Sequence, residues 1–230
     1  MDISIIIPAY NEEHRIGSTI RDLYEYFSSK KQDFEIIVVF DGNDGTPSVV
    51  RSFAGKNVTL LQFNERLGKG RAVAKGIISA GGKRIGFIDA DCPISPEEYL
   101  AMFAALDDAD CVIASRYVKG SKMQGRTFMR KLFSWGFNTY VNTLFRLGVS
   151  DTLCGAKVFR EDLAKKTISD IKFGGFIFDV EVLWKVKKTG AKLVEYPVSW
   201  KHVKEGTLNY WKDFPKMAVD ILKLRFGGAR

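Results

Sequence analysis

The sequence predicts an α/β fold: a mostly parallel sheet flanked by helices, with basic amphipathic helices in the second half. Two observations carry this. Short apolar runs alternate with helical periodicity through residue 115, the signature of βαβ units. The runs are continuously apolar rather than alternating, as in strands buried on both faces of a parallel sheet.

Taken in order, Ser4–Pro8 is the first such strand. Residues 12–27 follow as a helix, with Ile16, Ile20, Leu23, Tyr24 and Phe27 at helical spacing. Glu35–Phe40 is a second strand, stopped by Asp-Gly-Asn-Asp-Gly, and Thr59–Phe63 a third. Leu67–Ala80 reads as a helix ended by Gly81-Gly82. Arg84–Ile88 is a fourth strand. Pro96–Leu106 is a helix with Ser95 as its cap and proline at its first position. Cys111–Ala114 is a fifth strand. Beyond it, 126–147 reads as a helix or helix pair, Asp179–Lys188 as a helix, Lys192–Trp200 as a strand, and Tyr210–Arg225 as an amphipathic basic helix.

A chain of 230 residues, 46% apolar, suits one large domain with a sizeable core. The N-terminus lacks a basic region and cleavage site, so no signal peptide is expected. No window approaches 18 uninterrupted apolar residues, so no membrane-spanning helix is expected either. Cys92, Cys111 and Cys154 suggest neither a disulfide framework nor a zinc site, which favours a reducing cytoplasm. The net charge is +8, and residues 117–149 hold six Lys or Arg and no Asp or Glu. Such a segment implies an anionic partner: nucleic acid, phosphate ligands or a lipid surface.

Ligands of parallel sheets collect at the carboxyl ends of the strands. Asp41, Asp89 and Arg116 all lie just past such ends. In "GFIDADCPIS", Asp89 and Asp91 would share one face of an ideal strand. Two carboxylates so close resist joint ionisation unless a cation lies between them. Mg²⁺ and Mn²⁺ suit such oxygens, together with substrate phosphates. The competing reading, a solvated turn with Pro93, loses ground because of the strand-end placement. Pro8-Ala9-Tyr10-Asn11-Glu12 ends the first strand, where tyrosine can stack on a base and glutamate can bond its edge. In Leu67-Gly68-Lys69-Gly70-Arg71, glycines let amides approach a phosphate and Lys69 or Arg71 can neutralise it. The full Walker pattern is absent.

These pieces together resemble the family 2 glycosyltransferases of the GT-A, Rossmann-like fold, and within them the polyprenyl-phosphate sugar synthases, including dolichyl-phosphate mannose and glucose synthases. The likeness runs through PAYNEE at 8–13, DGNDGT at 41–46, NERLGKGRAVAKG at 64–76, FIDAD at 87–91, ASRY at 114–117, SDTLCGAKVF at 150–159 and FDVEVLWKVKKTG at 178–190. It implies transfer of a hexose from a nucleotide-diphosphate sugar, UDP-glucose or GDP-mannose, to a polyprenyl (dolichyl) phosphate, with inversion. It also implies one domain: 1–116 binding the nucleotide sugar, 117–149 facing acceptor and membrane, and 150–230 completing the acceptor half.

By the same resemblance, Pro8, Ala9, Tyr10, Glu12, Asp41, Lys69, Asp89 and Ala90 hold the donor nucleotide. Asp89 and Asp91 hold Mg²⁺ or Mn²⁺. Arg116, Arg130 and Ser134 meet the acceptor phosphate, with Asp91, Arg116 and Arg130 as the catalytic set. His202 and Lys204 lie in the loop that closes over the diphosphate. Pro93 stands where mannose synthases of this kind often have a third metal-side ligand, and proline cannot ligate through its side chain. An acceptor phosphate is already anionic near neutral pH and needs positioning rather than a strong base. That agrees with the sequence, in which His14 is expected to face solvent.

The acceptor also implies contact with a membrane, peripherally and on its cytoplasmic face. Residues 117–149 combine their charge with Tyr117, Phe128, Phe133, Trp135, Phe137, Tyr140 and Phe145, as an interfacial segment does. The same aromatics would serve as domain core or an oligomer contact, and the segment could equally bind a membrane-protein partner. Two further functions compete: glycosyl transfer to a lipid-linked glycan or soluble acceptor, and nucleic-acid binding. A hydroxyl acceptor would want a base. Paired aspartates without a metal would repel a phosphate backbone, so no nucleic-acid partner is expected.

Overall fold

Strand β1 (Ile3–Ala9) lies near the middle of a seven-stranded sheet in the computed structural model, with β2 (Phe34–Phe40) on one side and β4 (Arg84–Phe87) on the other. The structure describes residues 1–91, 94–124, 128–169, 171–173, 175, 177–201 and 210–227. The strand order is β3-β2-β1-β4-β7-β5-β8, with β3 at Val58–Gln62, β5 at Cys111–Ser115, β7 at Lys157–Arg160 and β8 at Leu193–Pro197. Every pairing is parallel except those of β7, which runs antiparallel between β4 and β5. The mostly parallel sheet is therefore as expected.

Both faces of the sheet are covered, which is why its strands read as continuous apolar runs. Ile5 and Ile7 of β1 pack into one layer with α1 (Ile16–Ser29), α2 (Thr46–Arg51) and α4 (Pro96–Ala104). Ile6 points the other way, into a layer built with α3 (Lys69–Ser79), α5 (Phe128–Phe145), α6 (Glu161–Ile168), α7 (Ile177–Thr189) and α8 (Tyr210–Phe226). Helix α4 starts on a capping box: Glu98 N–H donates to Ser95 Oγ, and Ser95 N–H donates to Glu98 Oε2, each at 3.1 Å. Glu98 Oε1 also accepts from Ser199 N–H at 2.7 Å, tying this helix to β9 (Ser199–Lys201).

Several boundaries differ from expectation, each for a physical reason. Helix α1 begins at Ile16 rather than Glu12, because residues 11–13 bond across to the 43–46 loop instead of starting a helix. The strand expected over 192–200 is two strands. Pro197, which has no amide hydrogen, ends β8, and the chain then pairs as β9 with β6 (Lys122–Gln124). Region 126–147 holds one helix, α5, among the described residues. Strand β7 and helix α6 are not among the expected elements: a four-residue strand opening on a lysine does not look like a central strand, although α6 has acids in its first turn and lysines in its last.

The aromatics of 117–149 divide between the proposed roles. Phe137 and Phe145 are buried in the core, and Trp135 is 67% exposed. Cys111 and Cys154 are buried free thiols, and burial pushes the Cys154 thiol up to about 12, so it is inert packing. Among the described residues no helix is long and apolar enough to cross a membrane.

Candidate active site

The carboxyl ends of β1, β2, β4 and β5 open on the same edge of the sheet, and loops there fasten to one another through side chains. After β1, Glu12 N–H donates to Thr46 Oγ1 at 2.9 Å and Glu13 N–H to Asp44 Oδ2 at 3.1 Å. In return Asn43 N–H donates to Asn11 Oδ1 at 2.9 Å and Gly45 N–H to Glu13 Oε2 at 2.7 Å. The turn-forming string at 41–46 is thus a turn with a purpose: it fixes the segment carrying Tyr10 and Glu12.

Asp41, at the end of β2, is buried and accepts three hydrogen bonds: Arg66 Nη1 at 2.6 Å, Leu67 N–H at 2.8 Å and Gly68 N–H at 2.7 Å. Gly68 holds φ +77°, which glycine adopts at no steric cost. Two amides of the glycine-rich loop therefore bind Asp41. Arg71 is exposed. The Arg66 guanidinium lies 3.3 Å from the centre of the Tyr10 ring, and Tyr10 is otherwise 46% exposed. Pro8, just before Tyr10, is half-buried, and Ala9 is buried.

Beyond β4 the chain has already left the strand at Asp89, so the two aspartates do not share a pleat. Thr19 Oγ1 donates to the Ala90 carbonyl at 2.7 Å, pinning the turn between them. Asp89 meets Lys69 Nζ at 2.9 Å, and Lys69 also reaches Asp179 Oδ2 at 3.2 Å. Asp179 in turn accepts from Lys157 Nζ at 2.5 Å, and Lys157, wholly buried in β7, also donates to the Cys154 carbonyl at 2.5 Å. A chain of alternating charges thus runs from the core of the sheet to Asp89. Burial opposes the charge on Lys69, but Asp179 and Asp89 outweigh it and raise its pKa. Burial likewise pushes the Asp179 carboxyl up, and the charges of Lys157 and Lys69 bring it below its usual value.

Asp91 differs. Burial raises its pKa and the charge of Asp89 raises it further, with only partial relief from Arg15 and Lys69. Glu12 is raised too, by burial first, against Arg15 at 2.8 Å. A half-buried carboxylate whose ionisation is held back, standing next to a second one at Asp89, is a donor set that suits a divalent cation. Among the described residues no group of three or more His, Cys, Asp or Glu could hold a metal alone. Mg²⁺ or Mn²⁺ would therefore take Asp89 and Asp91, with the remaining positions filled by water and donor phosphates.

Gly155 packs directly on Asp89: a Cβ there would collide with its carboxylate. Gly155→Ala should displace Asp89 and weaken metal-dependent binding of a nucleoside diphosphate about tenfold or more. Calorimetric titration with and without Mn²⁺ checks this.

Arg116, just past β5, is only 8% exposed. Its Nε and Nη2 bind Asp151 at 2.6 and 2.7 Å, and its guanidinium lies 4.9 Å from the Trp200 ring centre. Burial pushes the Asp151 carboxyl up, but Arg116 outweighs it and holds it below its usual value. Arg130 and Ser134 stand one turn apart on α5, with Ser134 half-buried. Farther along the same helix, Asn138 accepts from Thr152 N–H and Oγ1 at 3.1 and 2.6 Å, and Asn142 Oδ1 accepts from Gly148 N–H at 3.0 Å. The polar row on α5 is therefore partly structural. Beside it, Tyr117, Trp135, Thr139 and Ser150 help line an open groove of about 570 Å³. His14 has a side chain 91% exposed. His202, Lys204, Arg126, Cys92 and Pro93 lie outside the described residues.

Sequence reasoning gave no role to Arg66, Asp151, Lys157 or Asp179. Lys157 and Asp179 had one signal: each is a charge set in an otherwise apolar stretch, and buried charges are paired. Their partners lie 22 and 110 residues away, which spacing alone does not reveal.

The family model described as Glycosyl transferase family 2 matches residues 4–168. A dolichyl-phosphate beta-glucosyltransferase from Dictyostelium discoideum is 30% identical over 97% of this chain and 74% of its own length. The Homo sapiens protein of the same description is 28% identical with the same coverage. Among solved structures, glucosyl-3-phosphoglycerate synthase from Mycobacterium tuberculosis superposes with a TM-score of 0.76 at 18% identity, over 100% of this chain and 81% of that one. The same enzyme solved with Mn²⁺, uridine diphosphate and phosphoglyceric acid gives 0.74.

Proposed function

The chain belongs to glycosyl transferase family 2, and from that premise we propose that it moves a hexose from a nucleotide-diphosphate sugar to a polyprenyl phosphate such as dolichyl phosphate. The observation that carries this reading is the Asp89–Asp91 pair beside Lys69 at the end of β4, in a chain similar almost end to end to dolichyl-phosphate beta-glucosyltransferases. UDP-glucose is the favoured donor and GDP-mannose the alternative. The relatives' glucose and the uridine diphosphate in the neighbouring structure both support the first.

In the reaction, an acceptor phosphate oxygen forms a bond to the anomeric carbon. The bond from that carbon to the donor diphosphate breaks, and the nucleoside diphosphate leaves with the electron pair. Attack opposite the leaving group inverts the anomeric centre. The acceptor is anionic before it attacks, so no strong general base is required. Tyr10, with Arg66 on its ring, and Glu12 would receive the nucleoside, over Pro8 and Ala9 and beside Asp41. Lys69 and Ala90 would face the diphosphate, and a cation on Asp89 and Asp91 would stabilise its charge as it departs. His202 and Lys204 would close over it.

Arg130 and Ser134 would position the acceptor phosphate. Arg116, anchored by Asp151, would contribute positive potential from behind and keep that end of the site in shape. The protein would work at the cytoplasmic face of a membrane, attached peripherally.

The experiment compares a short-chain polyprenyl phosphate with the matching polyprenol. Only the phosphate should be glycosylated. Arg130→Ala should raise KM for that acceptor about 10- to 100-fold, the worth of a charge-assisted hydrogen bond, with donor affinity unchanged. Transfer to the polyprenol, or loss of donor affinity alone, would place the acceptor phosphate elsewhere.

A further inference from the structure

Three consecutive backbone amides, those of Ser150, Asp151 and Thr152, are each held by a side chain from another element. From β8, Glu195 Oε2 accepts from Ser150 N–H at 2.8 Å and Glu195 Oε1 from Asp151 N–H at 3.1 Å. From α5, Asn138 Oδ1 accepts from Thr152 N–H at 3.1 Å and from Thr152 Oγ1 at 2.6 Å. The segment lies outside every helix and strand, so these bonds decide where it runs. Asn138, Asp151 and Thr152 are all buried, so water does not readily take the place of a lost partner.

What the segment carries is the Asp151 carboxylate. It accepts from Arg116 Nε, Nη2 and backbone N–H at 2.6, 2.7 and 3.1 Å. Arg116 therefore stands where Asp151 holds it. Asn138 belongs to the helix that presents Arg130 and Ser134, one turn beyond Ser134. A short path from α5 through Asn138 and Thr152 to Asp151 thus ties the two arms of the acceptor site together. Residues of both arms line the open groove of about 570 Å³: Asn138 from α5, and Tyr117 and Ser150, the chain neighbours of Arg116 and Asp151.

We propose that Asn138 is a positioning residue for the acceptor: by holding Thr152, it fixes the distance between Arg116 and the row of Arg130 and Ser134. This rests on the reading above, which puts the acceptor phosphate at those residues. The pull of a guanidinium on a phosphate weakens with distance, and more so as water enters between them. A misplacement of about 1 Å costs on the order of 10²-fold in rate. An amide suits the task. A carboxylate would accept the same two bonds, but it would add a negative charge beside the path of an anionic acceptor.

The test measures kinetics of the full chain with UDP-glucose, Mn²⁺ and a short-chain polyprenyl phosphate. Asn138→Leu, similar in size, leaves the Thr152 amide and hydroxyl without their acceptor. It should raise KM for the polyprenyl phosphate about tenfold. Affinity for UDP with Mn²⁺ should stay within about twofold of wild type. Thr152→Val removes only the hydroxyl bond and should raise the same KM about threefold. Thr152→Ser keeps both bonds and should restore the wild-type value. A lower melting temperature with unchanged acceptor KM would make the tie purely structural and overturn the proposal. If Asn138→Leu does not fold, an unchanged acceptor KM in Thr152→Val overturns it equally. The combination with Arg130→Ala tests whether Asn138 acts through spacing. With that arm gone the spacing no longer matters, so adding Asn138→Leu should raise KM by less than about twofold more. A further full tenfold would show that Asn138 acts independently of the Arg130 row and overturn the proposal. Wild type that transfers to no polyprenyl phosphate would overturn the acceptor reading and this role with it. Wild-type transfer with an unaffected Asn138→Leu would overturn the role alone.

Discussion

Asp91→Ala will abolish hexose transfer without unfolding the protein. Metal stabilisation of a departing diphosphate is worth several kcal/mol, so the rate should fall by about 10³-fold or more. The electrostatics separate this loss from structural damage. Burial and the charge of Asp89 raise the Asp91 pKa, so the ionised side chain works against the fold while no cation is present. That penalty is complete above the raised folded value. It vanishes as pH falls below the unfolded carboxyl value of about 3.9. Without metal, the variant should therefore melt no lower than wild type near neutral pH. With Mn²⁺ and nucleoside diphosphate, only wild type should gain melting temperature. A variant that keeps turnover, or one that melts well below metal-free wild type, would contradict the assignment.

Asp179→Ala should have the largest effect on stability. It leaves Lys157, wholly buried, and Lys69 without their shared counter-ion. Removing one partner of a buried pair costs about 3–5 kcal/mol, which for a chain of this size lowers Tm on the order of 10 °C. Adding Lys157→Met should recover much of that loss, since the double variant no longer buries an unmatched lysine there. A double variant as unstable as the single would show that Asp179 matters for some reason other than charge. Activity should stay reduced even in the stabilised double variant, because Lys69 has lost one of the two carboxylates that hold it at Asp89. Asp179 and Asp151 are both held below their ordinary values, so what they contribute is present above the usual carboxyl range and is lost as pH falls through their folded values.

These two residues also show how far the sequence could be read. Asp89 and Asp91 were legible because an apolar run ended on them, and the parallel-sheet pattern says where such ends converge. Asp41 and Tyr10 were legible for the same reason. What Asp41 bonds to was not: its partners are Arg66 and two backbone amides, set by how the 66–68 loop folds over β2. Strand β7 escaped notice because Lys157 opens it, and that lysine is tolerated only because Asp179 lies opposite. Asp179 in turn sits in a helix buried nearly all round, where local periodicity carries little information. Arg116 was read as a group on the acceptor phosphate; that it is buried and bound to Asp151 was not legible. The basic aromatic segment mixed two messages that only burial separates, with Phe137 in the core and Trp135 outside.

Metal-assisted hexose transfer to a lipid phosphate at the end of β4 is measured most directly by incubating the protein with radiolabelled UDP-glucose, Mn²⁺ and dolichyl phosphate in detergent and extracting lipid-linked label. Label should enter the lipid fraction only when the phosphate is present, disappear with a chelator and be absent for Asp91→Ala. No labelled lipid from UDP-glucose or GDP-mannose, with either Mn²⁺ or Mg²⁺, would contradict it.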